Sequence, residues 1–298
     1  IQFLMSFVSL NKRFLFKFLS LFSVVRGYNI LFIITAQFIS SIYILSDNNN
    51  FYEVVFDINI WLIIFSSAFS ISAGYIINNV FDSEKDLINR PLKTTLEKEI
   101  SGRTKLTTYV FLNVVTLILA FLVSLKALIF FIVYIFSIII YSVKISKYPF
   151  IGNIFSVLLS ITPFFAIILY YKNYSNEIFS HALFLFLIVL IREVIKDLEN
   201  FVGDFTLNYF TIPVKYGEKA SKFYITFCSF LELVIAYLIL ISYELSYMKY
   251  FYFFSFIFLT IFNYFLWKSH SKEKFQFLHN SLKLLIVLGL FSIILHGI

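Results

Sequence analysis

The sequence has few charged residues, a single cysteine and only four histidines. Charged side chains make up 14% of the 298 residues, whereas a water-soluble domain carries about 25%, so a soluble fold is excluded. Cys228 stands alone, which excludes intrachain disulfides. The histidines lack the paired spacing of a zinc site, and no low-complexity linker or internal repeat interrupts the chain.

Apolar residues dominate instead. They account for 60% of the chain, aromatic residues for 21%, and the mean hydropathy is +0.88. Runs of about 20 apolar residues, the length that crosses a bilayer, recur along the sequence. We therefore predict an all-α, polytopic membrane protein with one membrane domain over residues 1–298. Its nine predicted spans are 27–45, 58–80, 106–125, 127–143, 151–171, 179–197, 222–243, 248–267 and 280–297.

The fourth span is the least separated from its neighbour, because only Lys126 divides it from the third. The basic residues indicate an orientation for the nine spans. With the N-terminus in the cytoplasm, the predicted outside loops hold only Lys126, Lys172 and Lys249 of the 24 lysines and arginines. This bias follows the positive-inside rule. The formal net charge of +7 is thus explained by topology, and no nucleic-acid partner is expected.

Carboxylates and amides follow two of these spans at helical spacing. Both spans, the second and the sixth, run towards the cytoplasm in the predicted orientation, so both polar ends are expected at one depth. Residues three or four positions apart lie on one face of a helix. The second span is followed by Asn78, Asp82 and Asp86, and the sixth by Asp197, Asn200 and Asp204.

A carboxylate at a helix C-terminus opposes the helix dipole at a cost of about 0.3–1 kcal/mol. A divalent cation compensates for such a cluster, and Mg²⁺ accepts a few protein oxygens while it keeps sites for water and phosphate. We expect the two clusters to face each other and to hold a diphosphate through Mg²⁺. Glu84, Lys85 and Glu199 are expected to point away from these clusters.

These two polar segments resemble the motifs of a known family. The stretch NNVFDSEKD at 78–86, continued by Asn89-Arg90-Pro91, resembles the NDxxDxxxD motif of the UbiA superfamily of intramembrane prenyltransferases, with Asn79 in place of the second-position aspartate. The stretch REVIKDLENFVGD at 192–204 is closest in form to the digeranylgeranylglyceryl-phosphate synthase branch. In that branch Asn200 corresponds to an aspartate and Val202 to a glutamate.

Shorter elements extend the resemblance over roughly residues 22–225. Arg26-Gly27-Tyr28-Asn29 is similar to an RPxN element, with Gly27 in place of proline. The segment 141–147, followed by Gly152-Asn153, resembles the basic loop after the fourth span. The segment TIPVKYG at 211–217 is similar to the one that follows the second motif.

The resemblance implies Mg²⁺-dependent transfer of a polyprenyl group from its diphosphate, with Asp82 and Asp197 as catalytic residues. It implies nine helices around a central apolar cavity that takes the prenyl chain, with the active site on the cytoplasmic side of a bacterial or archaeal cell membrane. The implied metal ligands are Asn78, Asp82, Asp86, Asp197, Asn200 and Asp204. The implied substrate contacts are Arg26, Asn29, Arg90, Lys144, Lys147 and Lys196.

The acceptor is open between two chemical classes. The form of the second motif favours geranylgeranylglyceryl phosphate, with a geranylgeranyl donor, as in ether-lipid synthesis. An aromatic acceptor, as in quinone biosynthesis, is the alternative. A cation-coupled transporter is a third reading, which the position of both clusters near one membrane face disfavours, because transporter sites lie near the bilayer midplane. Neither a haem nor a flavin site is indicated.

Overall fold

The computed structural model describes residues 17–46 and 51–296, and these are helical almost throughout, with no strand among them. Nine helical segments in these ranges are long and apolar enough to cross a membrane, as the sequence predicts. Residue 297, the last of the predicted ninth span, lies outside the described ranges. The segments are α1 Gly27–Leu45, α2 Ile58–Phe81, α3 Gly102–Val123, α4 Leu125–Val143, α5 Ile151–Tyr171, α6 Asn176–Glu199, α7 Ile212–Ser242, α8 Ser246–Lys268 and α9 Lys272–His296.

Several boundaries differ from the prediction, and local features explain two of the differences. The break between α3 and α4 lies at Ser124, whose backbone is extended, so Lys126 belongs to α4. The Ser124 hydroxyl accepts a hydrogen bond from the Ala127 amide at 3.1 Å and thereby caps α4. The seventh segment begins at Ile212, ten residues before the predicted 222, but its backbone is not helical at Gly217 (φ 85°), where two helices meet at a kink. Lys215 and Glu218 lie beside this kink and lower the local hydropathy, so the apolar run that predicts the span starts later than the segment.

One compact unit contains the described residues of 1–34 together with 62–142. Its central helix is α2: 67% of an 18-residue apolar window of this helix is buried, against 17% in α3 and 22% in α4. Small residues allow close helix packing. A Cβ atom on Gly74 of α2 would lie 3.1 Å from the side chain of Ile138 in α4. Ser66 of α2 and Thr116 of α3 exchange long hydrogen bonds of 3.4 and 3.5 Å.

The second compact unit contains the described residues of 35–61 together with 143–298. Its central helix is α6, 56% buried, which packs against α5, α7 and α9. A core of aliphatic side chains that includes Val194, Ile195 and Leu282 surrounds its C-terminal part. Each acidic segment therefore follows the most buried helix of its own unit.

Candidate functional site

The first acidic segment continues the helical register of α2 beyond the end of that helix. α2 ends at Phe81, and a short helix, Ser83–Asn89, follows directly. The amide of Asp82 donates to the carbonyl of Asn78, and the amide of Asp86 donates to the carbonyl of Asp82, both at 2.8 Å. Because these bonds span four residues, the three side chains keep the alignment that their spacing predicts.

The carboxylates of this first cluster (Asn78, Asp82 and Asp86) are close enough to repel each other. Burial raises the pKa of Asp86, and the neighbouring charge of Asp82 raises it further, while Arg26, Lys85 and Arg90 oppose the shift. A bound cation would relieve both the burial and the repulsion.

The side chains next to the first cluster only partly match the prediction. The Lys85 ammonium lies 3.5 Å from Oδ1 of Asp82, so the prediction that Lys85 faces away is wrong. The pair forms because residues three apart share one helical face. Glu84 is exposed.

The predicted substrate residues Arg26 and Asn29 both contact Tyr75. The Arg26 guanidinium lies 4.8 Å from the centre of the Tyr75 ring, and the Asn29 amide donates to the Tyr75 hydroxyl at 3.5 Å. Tyr75 precedes Asn78 by one helical turn, on the face that carries the cluster. Sequence reasoning did not single out Tyr75, although its spacing from Asn78 was a usable signal.

The second cluster (Asp197, Asn200 and Asp204) also keeps a helical register across the end of its helix. The amide of Asn200 donates to the carbonyl of Lys196 at 3.0 Å, and the amide of Asp204 donates to the carbonyl of Asn200 at 3.2 Å. The short helix Phe201–Thr206 contains Gly203, so this glycine does not end the helical path.

Burial makes this second cluster well suited to a cation. Asp197 is 8% exposed and Asp204 2% exposed, and their charges repel each other. Oδ1 of Asn200 is buried and has no hydrogen-bond partner among the described residues. An unsatisfied buried amide oxygen beside two carboxylates is an oxygen donor set of the kind that Mg²⁺ accepts.

Asp197 is oriented by a residue from another helix. The side-chain amide of Asn153 in α5 donates to Oδ2 of Asp197 at 2.7 Å, and the bond is buried. This leaves Oδ1 of Asp197 for another ligand. The sequence signal for Asn153 was the Gly152-Asn153 pair in the family resemblance, to which no role was assigned.

Lys196 and Glu193 form an ion pair, so the predicted diphosphate contact Lys196 already has an anionic partner. Glu193 also accepts from the Ser156 hydroxyl at 3.2 Å. Glu199 points to a different contact, because Nδ1 of His279 lies 2.6 Å from its Oε2. The expectation that Glu199 takes no part in the cluster agrees with this pairing.

The basic loop after α4 is tied to the segment that follows Asp204. Lys144 and Lys147 are both exposed. The backbone carbonyl of Lys147 accepts a hydrogen bond from the amide of Phe210 at 2.9 Å. The side-chain ammonium of Lys147 lies 5.2 Å from the centre of the Tyr209 ring. The amide of Tyr209 in turn donates to the carbonyl of Asp204 at 2.9 Å.

The same loop packs against the start of α5. A Cβ atom at Gly152 would lie 3.0 Å from the carbonyl oxygen of Ile145 and 3.4 Å from that of Ser146. This position therefore favours glycine, because the backbones approach closely. The residue that follows, Asn153, is the one that binds Asp197.

No group of three or more carboxylate, imidazole or thiolate side chains forms a metal site within residues 17–46 and 51–296. Each cluster supplies two carboxylates and one amide. A site of this kind suits Mg²⁺, which keeps several waters and takes remaining oxygens from a bound phosphate.

Comparison with known proteins agrees with this picture. The model of the UbiA prenyltransferase family matches residues 31–287. A digeranylgeranylglyceryl phosphate synthase of Thermococcus gammatolerans is 32% identical over 169 residues, which cover 56% of this chain and 60% of that protein. The Pyrococcus furiosus protein of the same name is 30% identical over 193 residues, 63% of this chain and 68% of that protein. The chain thus spans about 60% of the length of the first of these relatives.

Solved structures share the helical fold. A structure concerning a digeranylgeranylglyceryl phosphate synthase in membranes has a TM-score of 0.70 and 25% identity, covering 94% of this chain and 98% of the other. A UbiA homolog from Archaeoglobus fulgidus bound to GPP and Mg²⁺ has a TM-score of 0.71 at 14% identity, with coverage of 93% and 99%; this likeness concerns the fold. The protein is an integral membrane protein, and it belongs to the UbiA prenyltransferase family.

Proposed function

We propose that this chain transfers a geranylgeranyl group from its diphosphate to geranylgeranylglyceryl phosphate, in a reaction that depends on Mg²⁺. The observation that carries the proposal is the pair of carboxylate and amide clusters, each at the end of the most buried helix of its unit. Supporting it, the relatives matched at 30–32% identity are named digeranylgeranylglyceryl phosphate synthases.

The proposed metal ligands are the two clusters, with Asp82 and Asp197 as the catalytic residues among them. Cleavage of the allylic C–O bond develops negative charge on the diphosphate, which bound Mg²⁺ stabilises electrostatically. Asn153 keeps Asp197 oriented for this role, and the Asn200 side chain offers its unsatisfied oxygen.

Basic residues near each cluster are proposed to bind diphosphate oxygens. Arg26 and Arg90 both act electrostatically on Asp86, and Lys144 and Lys147 are exposed on the basic loop. Lys196 is proposed to act differently. Its ion pair with Glu193 holds the Lys196 ammonium in place, which keeps a positive charge beside Asp197. Asn29 donates a hydrogen bond to Tyr75, one helical turn before Asn78, and is proposed to contact the substrate from there.

The remaining features of the proposal concern the membrane. The chain forms a single catalytic domain with an apolar cavity for the prenyl chain, lies in an archaeal or bacterial cell membrane, and has its N-terminus and active site on the cytoplasmic side. The distribution of basic residues supports this orientation.

A product analysis tests the proposal. The purified protein in liposomes is incubated with Mg²⁺, labelled geranylgeranyl diphosphate and either geranylgeranylglyceryl phosphate or an aromatic acceptor, and products are identified by mass spectrometry. We expect a prenylated glycerol phosphate ether. If label appears only in an aromatic product, the acceptor is aromatic and the glycerol phosphate proposal is wrong. If neither acceptor gives Mg²⁺-dependent release of diphosphate, prenyl transfer is refuted.

A further inference from the structure

A buried polar network joins the end of α2 to the segment that follows the first cluster. Oδ1 of Asn79 accepts a hydrogen bond from the Lys105 ammonium at 2.6 Å, and Nδ2 of Asn79 donates to Oε2 of Glu97 at 2.8 Å. Asn79 is 8% exposed, Glu97 2% and Lys105 8%. The neutral amide thus bridges a buried cation and a buried anion, one through its acceptor and the other through its donor.

The second carboxylate oxygen of Glu97 is also satisfied. Its Oε1 accepts from the Ser23 hydroxyl at 2.9 Å and lies 3.4 Å from the Lys93 ammonium. A buried charge is tolerated when it is paired and fully hydrogen-bonded. Glu97 therefore has a stable position only while these partners stay in place.

The bond between Asn79 and Glu97 closes a loop of the chain that carries the two aspartates of the first cluster. The two residues are 18 positions apart, and Asp82, Asp86 and Arg90 lie between them. Asn79 belongs to α2 and Glu97 ends the short helix Pro91–Glu97. Lys105, in the first turn of α3, joins the next helix to the same point.

We propose that Asn79, Glu97 and Lys105 form a clasp that positions Asp82 and Asp86 for binding of the metal and the diphosphate. The proposal rests on the proposed prenyl transfer for its functional meaning, while the clasp itself is a structural claim. These three are positioning residues, because each acts through the loop that it closes. Asparagine suits position 79 since an aspartate there would set two buried carboxylates against each other at the 2.8 Å contact.

A reciprocal exchange of amide and carboxylate tests the clasp. In Asn79→Asp, two carboxylates face each other where an amide now donates to Glu97. In Glu97→Gln, the new amide either places its NH₂ group against that of Asn79 or turns this group towards the Lys93 ammonium. The double variant N79D/E97Q restores every hydrogen bond with the direction of one bond reversed, and it keeps the net charge. Glu99→Gln is the matched control, because Glu99 is exposed two positions away.

Two measurements are made on each purified variant. Hydrogen–deuterium exchange over residues 82–96 reports closure of the loop without reference to activity. Turnover as a function of Mg²⁺ concentration reports its consequence. We expect both single variants to lose protection, to lose about 10- to 100-fold in turnover at low Mg²⁺, and to regain part of it at high Mg²⁺. We expect the double variant and E99Q to resemble the parent protein in both measurements.

Three results would overturn the clasp: unchanged exchange in both single variants, a double variant no better protected than either single one, or a double variant that does not fold. Should a single variant fail to fold, the double variant still decides the matter. If the parent protein shows no prenyl transfer but the exchange pattern is as expected, the proposed function fails and the clasp stands.

Discussion

The side-chain amide of Asn153 donates a buried 2.7 Å hydrogen bond to Oδ2 of Asp197 across two helices, α5 and α6. The bond fixes one carboxylate oxygen and so determines the direction of the other. Partners that orient metal ligands in this way are worth about 10- to 100-fold in metal affinity or activity.

Replacing Asn153 with alanine is therefore expected to raise the Mg²⁺ concentration needed for half-maximal turnover by about tenfold or more. Ser160→Ala in the same helix is the control, because its hydroxyl bonds only the carbonyl of Ser156 and is exposed. Turnover is measured over a Mg²⁺ series. Equal Mg²⁺ requirements in the two variants would argue against an orienting role for Asn153.

Asp82→Asn and Asp197→Asn are each expected to lower turnover by at least about 100-fold, because each removes an anionic oxygen ligand of the Mg²⁺ that would stabilise the developing diphosphate anion. Glu84→Gln, next to the first cluster but exposed, removes the same charge and should leave turnover within about twofold of the parent protein. Helical content and monodispersity in detergent verify folding. Full turnover in both aspartate variants would refute the assignment of Asp82 and Asp197 as metal ligands.

Gly152→Ala is expected to displace the basic loop, since its Cβ would lie 3.0 Å from the carbonyl oxygen of Ile145. Because Lys144 and Lys147 move with that loop, the KM for the prenyl diphosphate should rise more than kcat falls. The control is Gly102→Ala at the start of α3, where nothing lies within 4 Å of the added carbon. Indistinguishable kinetics of the two variants would contradict this account of the loop.

Removal of divalent cations is expected to abolish turnover while the protein stays folded. The described residues form no closed site of three or more carboxylate, imidazole or thiolate ligands, so the metal is not expected to hold the helices together. Turnover and thermal stability are compared with EDTA, and again after Mg²⁺ is restored. Turnover that survives chelation, or unfolding caused by it, would conflict with the proposal.

The orientation can be tested with single cysteines in a Cys228→Ser background. Cysteine at the exposed position 98, between α2 and α3, should be protected from a membrane-impermeant thiol reagent in intact cells. Cysteine at the exposed position 172, between α5 and α6, should react. Both sites should react in lysed cells. The reverse pattern would place the N-terminus outside.

Sequence alone determined the elements and the chemical identity of the clusters. Nine apolar runs predicted nine helices. Lipid offers no hydrogen-bond partners, and a helix satisfies the backbone N–H and C=O groups of each run within the run itself. The spacing of Asn78, Asp82 and Asp86 predicted one helical face, and the backbone hydrogen bonds keep that register. These are local properties, set by residues three or four positions apart.

The tertiary structure decided which side chains hold the acidic residues in place. Asn153 and Asp197 are 44 positions apart, and Asn79 and Lys105 are 26 apart, so no helical periodicity relates them. The sequence-based prediction that Lys85 points away from the cluster is also wrong, because Lys85 and Asp82 form an ion pair. Long-range partners depend on how helices pack, because the same polar residue can face lipid, water or a neighbouring helix according to the rotation of its own helix. Only the packed units determine that rotation.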